Sequence, residues 1–253
     1  MKHFFFVFLL LSLSYDISAC NYFEVSFGVH SKTSRSSSEF KDAILKQLKI
    51  KETELKEDLW IQKSLPHAPE QTVVVVPKLI GEDEGMFTLN AMVLVVNSKT
   101  GKIIQKFEEE NTVFSDAIHI STFTIDTAPY MLTKEIRAFG IRAEYWGSSN
   151  PNPYSEVQLS LFVQEGTRLR RVLKNEVVGL SLGEWDMDCN GRFEEMKAIL
   201  LFDTEKTNGY FNLVVKERNW VTLNEKIKGN CEEKITNKPD KKRGLRYNGE
   251  IYQ

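Results

Sequence analysis

Hydrophobic and polar positions alternate along this chain in three distinct ways. From Phe4 to Leu13 the residues are apolar except for Ser12, preceded by Lys2-His3 and followed by a short polar stretch. Further on, Phe40, Ile44, Leu45 and Leu48 recur at the spacing of one helical face, with Ser38 placed as an N-cap, so one amphipathic helix is predicted over 39–48. Such a stripe can meet a partner, but it more often packs on its own core. Beyond Pro66 the pattern becomes short apolar or β-branched runs divided by turn residues. Thr72 to Val76 reads as a strand that Pro77 should end. Ala91 to Val96, the turn Asn97-Ser98-Lys99-Thr100-Gly101 and Lys102 to Phe107 read as a β-hairpin. Strands are predicted at Ile118 to Ile125, Ala138 to Tyr145, Val157 to Val163, Arg168 to Leu173, Met196 to Phe202 and Phe211 to Glu217. The tail from Glu232 should be a solvated basic loop closing in a small hairpin over 245–252.

The first pattern is a signal segment: basic start, apolar centre, small residues at its end. Ten residues rise ~15 Å, about half of a ~30 Å hydrocarbon core, so the run is too short to span. Ile17-Ser18-Ala19-Cys20 resembles a bacterial lipobox. By that resemblance residues 1–19 are removed and Cys20 carries the lipid, with diacylglycerol on the thiol and an acyl chain on the amine. Two or more chains anchor a protein stably where one does not. Asp16 departs from the pattern, and plain secretion with Cys20 as an ordinary residue is the alternative. Asn21 is not the aspartate that holds many enterobacterial lipoproteins in the inner membrane, which favours the outer membrane, periplasmic face. Residues 20–38, with a serine-rich stretch from Ser31, read as a tether, and 39–253 as a single β-rich domain.

Setting Cys20 aside leaves Cys189 and Cys231, an even pair in a compartment where disulfides persist. Closing that loop stabilises by roughly 4 kcal/mol in the chain-entropy picture. Two buried free thiols are the alternative. No CxxC spacing points to zinc.

The fold class expected is mainly β: an antiparallel sheet, sandwich or partial propeller-like meander with one N-terminal amphipathic helix. The hairpin VVNSKTGKIIQKF is similar to strand-turn-strand units of propeller blades, although no internal period recurs. Together with the signal segment, DTAPY at Asp126 to Tyr130, SLFVQEG at Ser160 to Gly166, GEWD at Gly183 to Asp186, the KTNGY turn and the final YNGEIY resemble a group of exported bacterial proteins of uncharacterised activity. That resemblance implies a secreted β-rich body and no particular chemistry.

Composition narrows the chemistry. With 33 Lys+Arg against 35 Asp+Glu the net charge is −2, which gives no general attraction to phosphate backbones, so no nucleic-acid partner is expected. Among candidate sites, Asp186, Asp188, Asn190 and Glu194 stand where a calcium loop places oxygen ligands, with Gly191 at its glycine position; Lys197 occupies the place of the bidentate carboxylate. An acidic surface turn is the plainer interpretation, and no metal or cofactor is assigned. His30, His67 and His119 form no ligand motif, and no GxSxG, SxxK or phosphate-loop string occurs. Carboxylate runs at Glu82-Asp83-Glu84, Glu108-Glu109-Glu110 and Glu194-Glu195 supply the alternative function, a secreted hydrolase acting on envelope polymers through a carboxylate pair. Aromatics at Tyr145, Trp146 and Trp185 are candidates for carbohydrate recognition. The leading expectation is a membrane-anchored envelope lipoprotein without a catalytic residue, a binding or structural module for an envelope protein or glycan.

Overall fold

The computed structural model describes residues 38–110 and 113–253, all within one compact unit. The signal segment, Cys20 and nearly all of the tether therefore lie outside the described residues. Helix α1 (Ser38–Leu48) begins one residue earlier than its apolar stripe suggests. Its buried Ile44 and Leu45 pack with Val74, Val76, Met92 and Leu94 on the outer face of a first sheet. The helix face thus serves this chain's own core.

That first sheet has the order β1 (Ile61–Leu65), β2 (Ala68–Asp83), β3 (Met86–Asn97), β4 (Ile103–Phe107), with β5 (Val113–Ser115) also on β3, all antiparallel. The predicted β3–β4 hairpin is present. Asn97 Oδ1 accepts from the Lys99 and Thr100 amides, and Gly101 takes a φ of +65°, a conformation open to glycine. Pro77, in contrast, does not end its strand: β2 continues through it, with Pro77 opposite Ala91. The pairing of β1 stops at Val75, and the Pro77 carbonyl accepts from the Lys56 amide on that same side. The missing N–H therefore faces the side that β1 has already left, where no ladder bond is lost.

The second sheet is a consecutive antiparallel meander: β6 (Ile118–Met131), β7 (Arg137–Gly147), β8 (Tyr154–Glu165), β9 (Arg168–Trp185), β10 (Gly191–Thr207), β11 (Tyr210–Ile227) and β12 (Asn230–Asn237), with β13 (Lys241–Leu245) also on β11. The strand predicted over 168–173 is the first third of an 18-residue strand. The tail is largely not a loop: Glu232, Glu233 and Lys234 lie in β12 and Lys241, Lys242 and Arg243 in β13, exposed strands whose polar side chains concealed them from a hydrophobicity argument. The small closing hairpin exists as the Tyr247–Tyr252 bridge.

Two layers of contact fix the architecture. Val73, Val75, Val93 and Val95 of the first sheet meet Phe123, Ile125, Phe139, Ile141 and Phe162 of the second. On the far side of the second sheet, β10 leaves β9 after the Lys197–Gly179 pair and continues with β11 alone. This arm, with β13, lays Leu213, Val215 and Leu245 over Leu159, Leu161, Val163 and Val172. The Tyr252 amide donates to the Val172 carbonyl and the Phe211 amide to that of Leu132, closing the arm onto the sheet. What remains, the far ends of β9, β10 and β11 with β12, is a single layer; no residue of β10 or β12 is buried.

Candidate functional site

Side chains at paired positions of an antiparallel sheet share one face. The register strings Trp146, Ser155, Ser181, Glu195 and Trp220 into one row across β7 to β11. Trp185, four residues along β9 from Ser181, and Phe193, two along β10 from Glu195, fall on that same face. Three of the four tryptophans therefore project from one side of the meander. At ~4.8 Å per strand, the row separates Trp146 from Trp220 by about 19 Å. Trp146 is 54% exposed, with His119 as its neighbour on β6. The indole N–H of Trp220 donates to Glu195, and the Lys197 ammonium stands 5.6 Å from the Trp220 ring centre.

Backbone pairing holds this face in place. The amides of Gly183 and Trp185 donate to the Pro153 and Pro151 carbonyls, and Trp185 Nε1 donates to the Asn150 carbonyl at 2.7 Å. The loop of 147–154 and the end of β9, separate as aromatic candidates in the sequence, are thus one structure. Phe193 lies over Gly183, where a Cβ would come within 2.6 Å of its ring. Tyr145 is different: strand alternation turns it to the opposite face, away from Trp146.

On that opposite face, between the two sheets, lies a cavity of about 240 Å³. Its floor is apolar, with Val93, Phe107, Phe123, Ile141 and Phe162, and its rim carries Tyr145, Gln158, Ser160, Arg171, Lys174 and Asn175. Glu109 bridges Arg171 at 2.7 Å and Lys174 at 2.9 Å. The Arg171 bond leads the Lys174 contact in drawing its carboxyl down to about 2, against a smaller opposing effect of burial. On β8, Glu156 accepts from the Tyr154 hydroxyl and from Gln158; burial and this bond lift Tyr154 to about 12.

The sequence candidates fare unequally. Cys189 and Cys231 are joined, with Cα atoms 5.7 Å apart, and tie the β9–β10 turn to β12. In that turn Asp186 accepts from the Asp188 and Cys189 amides and from Asn190 Nδ2. Asp188 pairs with Lys226, and Glu194 with Arg192 and Lys238. The four oxygen-bearing residues thus serve a turn and its flanking ion pairs. Among the described residues no three His, Cys, Asp or Glu side chains are grouped to hold a metal ion. Glu194 and Glu195, adjacent in β10, point to opposite faces and form no close pair. Glu82 meets Lys56 and Glu108 meets Lys106. His119 is exposed on β6, and His67 sits in the β1–β2 turn, its pKa lowered by burial and by Arg137; His30 lies outside the described residues.

The motifs behind the family resemblance have visible structural duties. In DTAPY, Asp126 accepts from the Ala128 amide, the Tyr130 hydroxyl and Arg142. Burial works to raise its pKa, and these donors overcome it, so the carboxyl titrates low. The KTNGY turn places Asn208 and Gly209 at positive φ, and GEWD ends β9. Sequence reasoning missed Trp220, Arg171 and Asn175 as site residues and offered Glu195 only as one of a carboxylate pair. Strand register, which the chain does not print, is what brings them to their faces. Comparison of the chain with protein-family models, with curated proteins and with solved structures finds no match.

Proposed function

We propose that this protein is a membrane-anchored envelope lipoprotein whose β-rich body is a non-catalytic binding module for an envelope glycan. The observation that carries the glycan assignment is the face holding Trp146, Trp185 and Trp220 with Ser155, Ser181 and Glu195 between them. Indole rings offer flat apolar surface with a polar edge, suited to the C–H face of a sugar ring, while the hydroxyls and carboxylate match its hydroxyl groups. The anchor rests on the ISAC tetrapeptide behind the apolar run, with the outer membrane, periplasmic face, as its location. Among the described residues no helix is long and apolar enough to cross a membrane.

Co-sedimentation with isolated envelope glycan tests the binding role. The wild-type body should bind saturably, and Trp146→Ala with Trp220→Ala should weaken binding at least tenfold while leaving the fold intact; unchanged binding would reject this face. Intact mass of the protein from host membranes, wild type against Cys20→Ser, tests the anchor independently: acyl mass should be present in the first and absent from the second.

A further inference from the structure

The cavity between the two sheets is separate from the tryptophan face and faces the other way. Its volume of about 240 Å³ equals the share of some eight waters at ~30 Å³ each, room for a solute of on the order of ten non-hydrogen atoms. Its walls come from seven strands, β3 to β9, with Glu109 and Glu110 added from the segment that follows β4, so both sheets of the sandwich frame it. Phe107 and Phe162 meet edge to face at 5.2 Å, and Phe162 stacks on Phe139 at 5.8 Å, which fixes the aromatic floor.

Charge at the rim is already balanced. Arg171 lies 5.0 Å over the Phe107 ring with its guanidinium on Glu109, and the other Glu109 oxygen takes Lys174. Glu110 supplies a second carboxylate at the rim against the second cation. A charged head entering here would have to displace an existing partner or lose water without gaining a counter-charge, and either is costly. Neutral hydrogen-bonding capacity, in contrast, is left over. Gln158 uses its amide N–H on Glu156, which leaves its oxygen to accept. Asn175 uses its amide oxygen on the Ser160 hydroxyl, which leaves its NH₂ to donate. Tyr145 has no hydrogen-bond partner for its hydroxyl among the described residues, although the ring is half-buried beside Gln158.

We propose that this inter-sheet cavity is a binding site for a small uncharged molecule with an apolar ring or short chain and one hydroxyl or carbonyl group, seated on Phe107, Phe123 and Phe162 and held by Tyr145, Gln158 and Asn175. The site is independent of glycan binding at the tryptophan face. It takes ligand by burial of the apolar part, and the three polar groups set its orientation.

2-Naphthol at neutral pH is a suitable probe: one neutral hydroxyl on an apolar double ring. Its fluorescence titration with the purified body should saturate at one site, and naphthalene-2-sulfonate, the same ring with an anionic head, should bind at least tenfold more weakly. Ala143→Phe, which fills the cavity from β7, should abolish naphthol binding. Tyr145→Phe, which keeps the volume and removes one hydroxyl, should weaken it about fivefold, and so tests the site even where the larger substitution disturbs folding. Sulfonate binding as tight as naphthol would overturn the neutral assignment in favour of an anion site at Arg171 and Lys174. Naphthol binding unaltered by both variants, or no saturable binding to the wild type, would overturn the site.

Discussion

The sandwiched part of this protein and its single-layer tip are built from the same strands. β9, β10 and β11 each run through both, yet their halves live under different rules. In the sandwich, Leu159, Leu161 and Leu213 are covered on both sides of their strands and carry no exposed surface. At the tip, Leu182 and Ile235 stand out to water, and order is held by backbone ladders, ion pairs and the Cys189–Cys231 bond. One strand can therefore pass from a region stabilised by burial into one stabilised by pairing and a cross-link. Recognition surface is available where burial has been given up: the tryptophan face belongs largely to the thin part.

The sharpest way to break the comparison is to remove the disulfide. Its ends are 42 residues apart, which in the chain-entropy picture corresponds to about 4 kcal/mol. If tip and sandwich open separately, replacing both Cys189 and Cys231 by Ala should speed amide exchange in β12 and the end of β11 by up to about a thousandfold, and leave Val73 to Val76 within tenfold of wild type. Hydrogen exchange read by mass spectrometry gives both numbers at once. Equal acceleration in the two regions would mean that the long strands couple them into one cooperative unit.

Truncating one leucine in each region comes next. Leu161→Ala opens a void in the core between the second sheet and its arm, and should cost about 3 kcal/mol in urea unfolding. Leu182→Ala removes a side chain that is already 40% exposed, and should cost about 0.5 kcal/mol or less. Similar costs would show that the tip buries more than its exposed residues suggest, through a partner surface or a second copy.

The same contrast explains what could be read from the chain. Runs such as Thr72 to Val76 and Leu94 to Val96 belong to the sandwich, where burial writes itself as hydrophobicity, and the β3–β4 hairpin that follows the second run has its turn spelled out by Asn97 and Gly101. The tip has no such signal. Arg192, Glu194 and the whole of β12 are strand residues whose polarity resembles a loop, because a single layer presents both faces to water. Cysteine parity pointed to the one covalent tie. The tryptophan face and the cavity depend on which residues stand opposite one another across several strands, and bulges at Val157/Gln158 and Leu159/Leu161 shift that register in ways that no local pattern records.

The smallest effect separates the two regions by charge. Glu109, at the cavity rim, is held at about 2 against an ordinary 4.5, chiefly by Arg171. A carboxyl depressed in the folded state contributes stability that is complete above its unfolded pKa and disappears as pH falls through the folded one. Here that window runs from about pH 4.5 down to about pH 2. Because Glu109 is about one-third exposed, solvent screening reduces the expected contribution to about 1 kcal/mol. Glu109→Gln should therefore lower the unfolding free energy by that amount at pH 7 and by almost nothing at pH 2. Glu194→Gln at the tip, where the carboxylate between Arg192 and Lys238 is open to water, should produce no measurable change at either pH. Urea titrations of the two variants at both pH values provide the check. A loss for Glu109→Gln that persisted at pH 2 would show that the rim is held by shape and hydrogen bonding, with charge incidental to it.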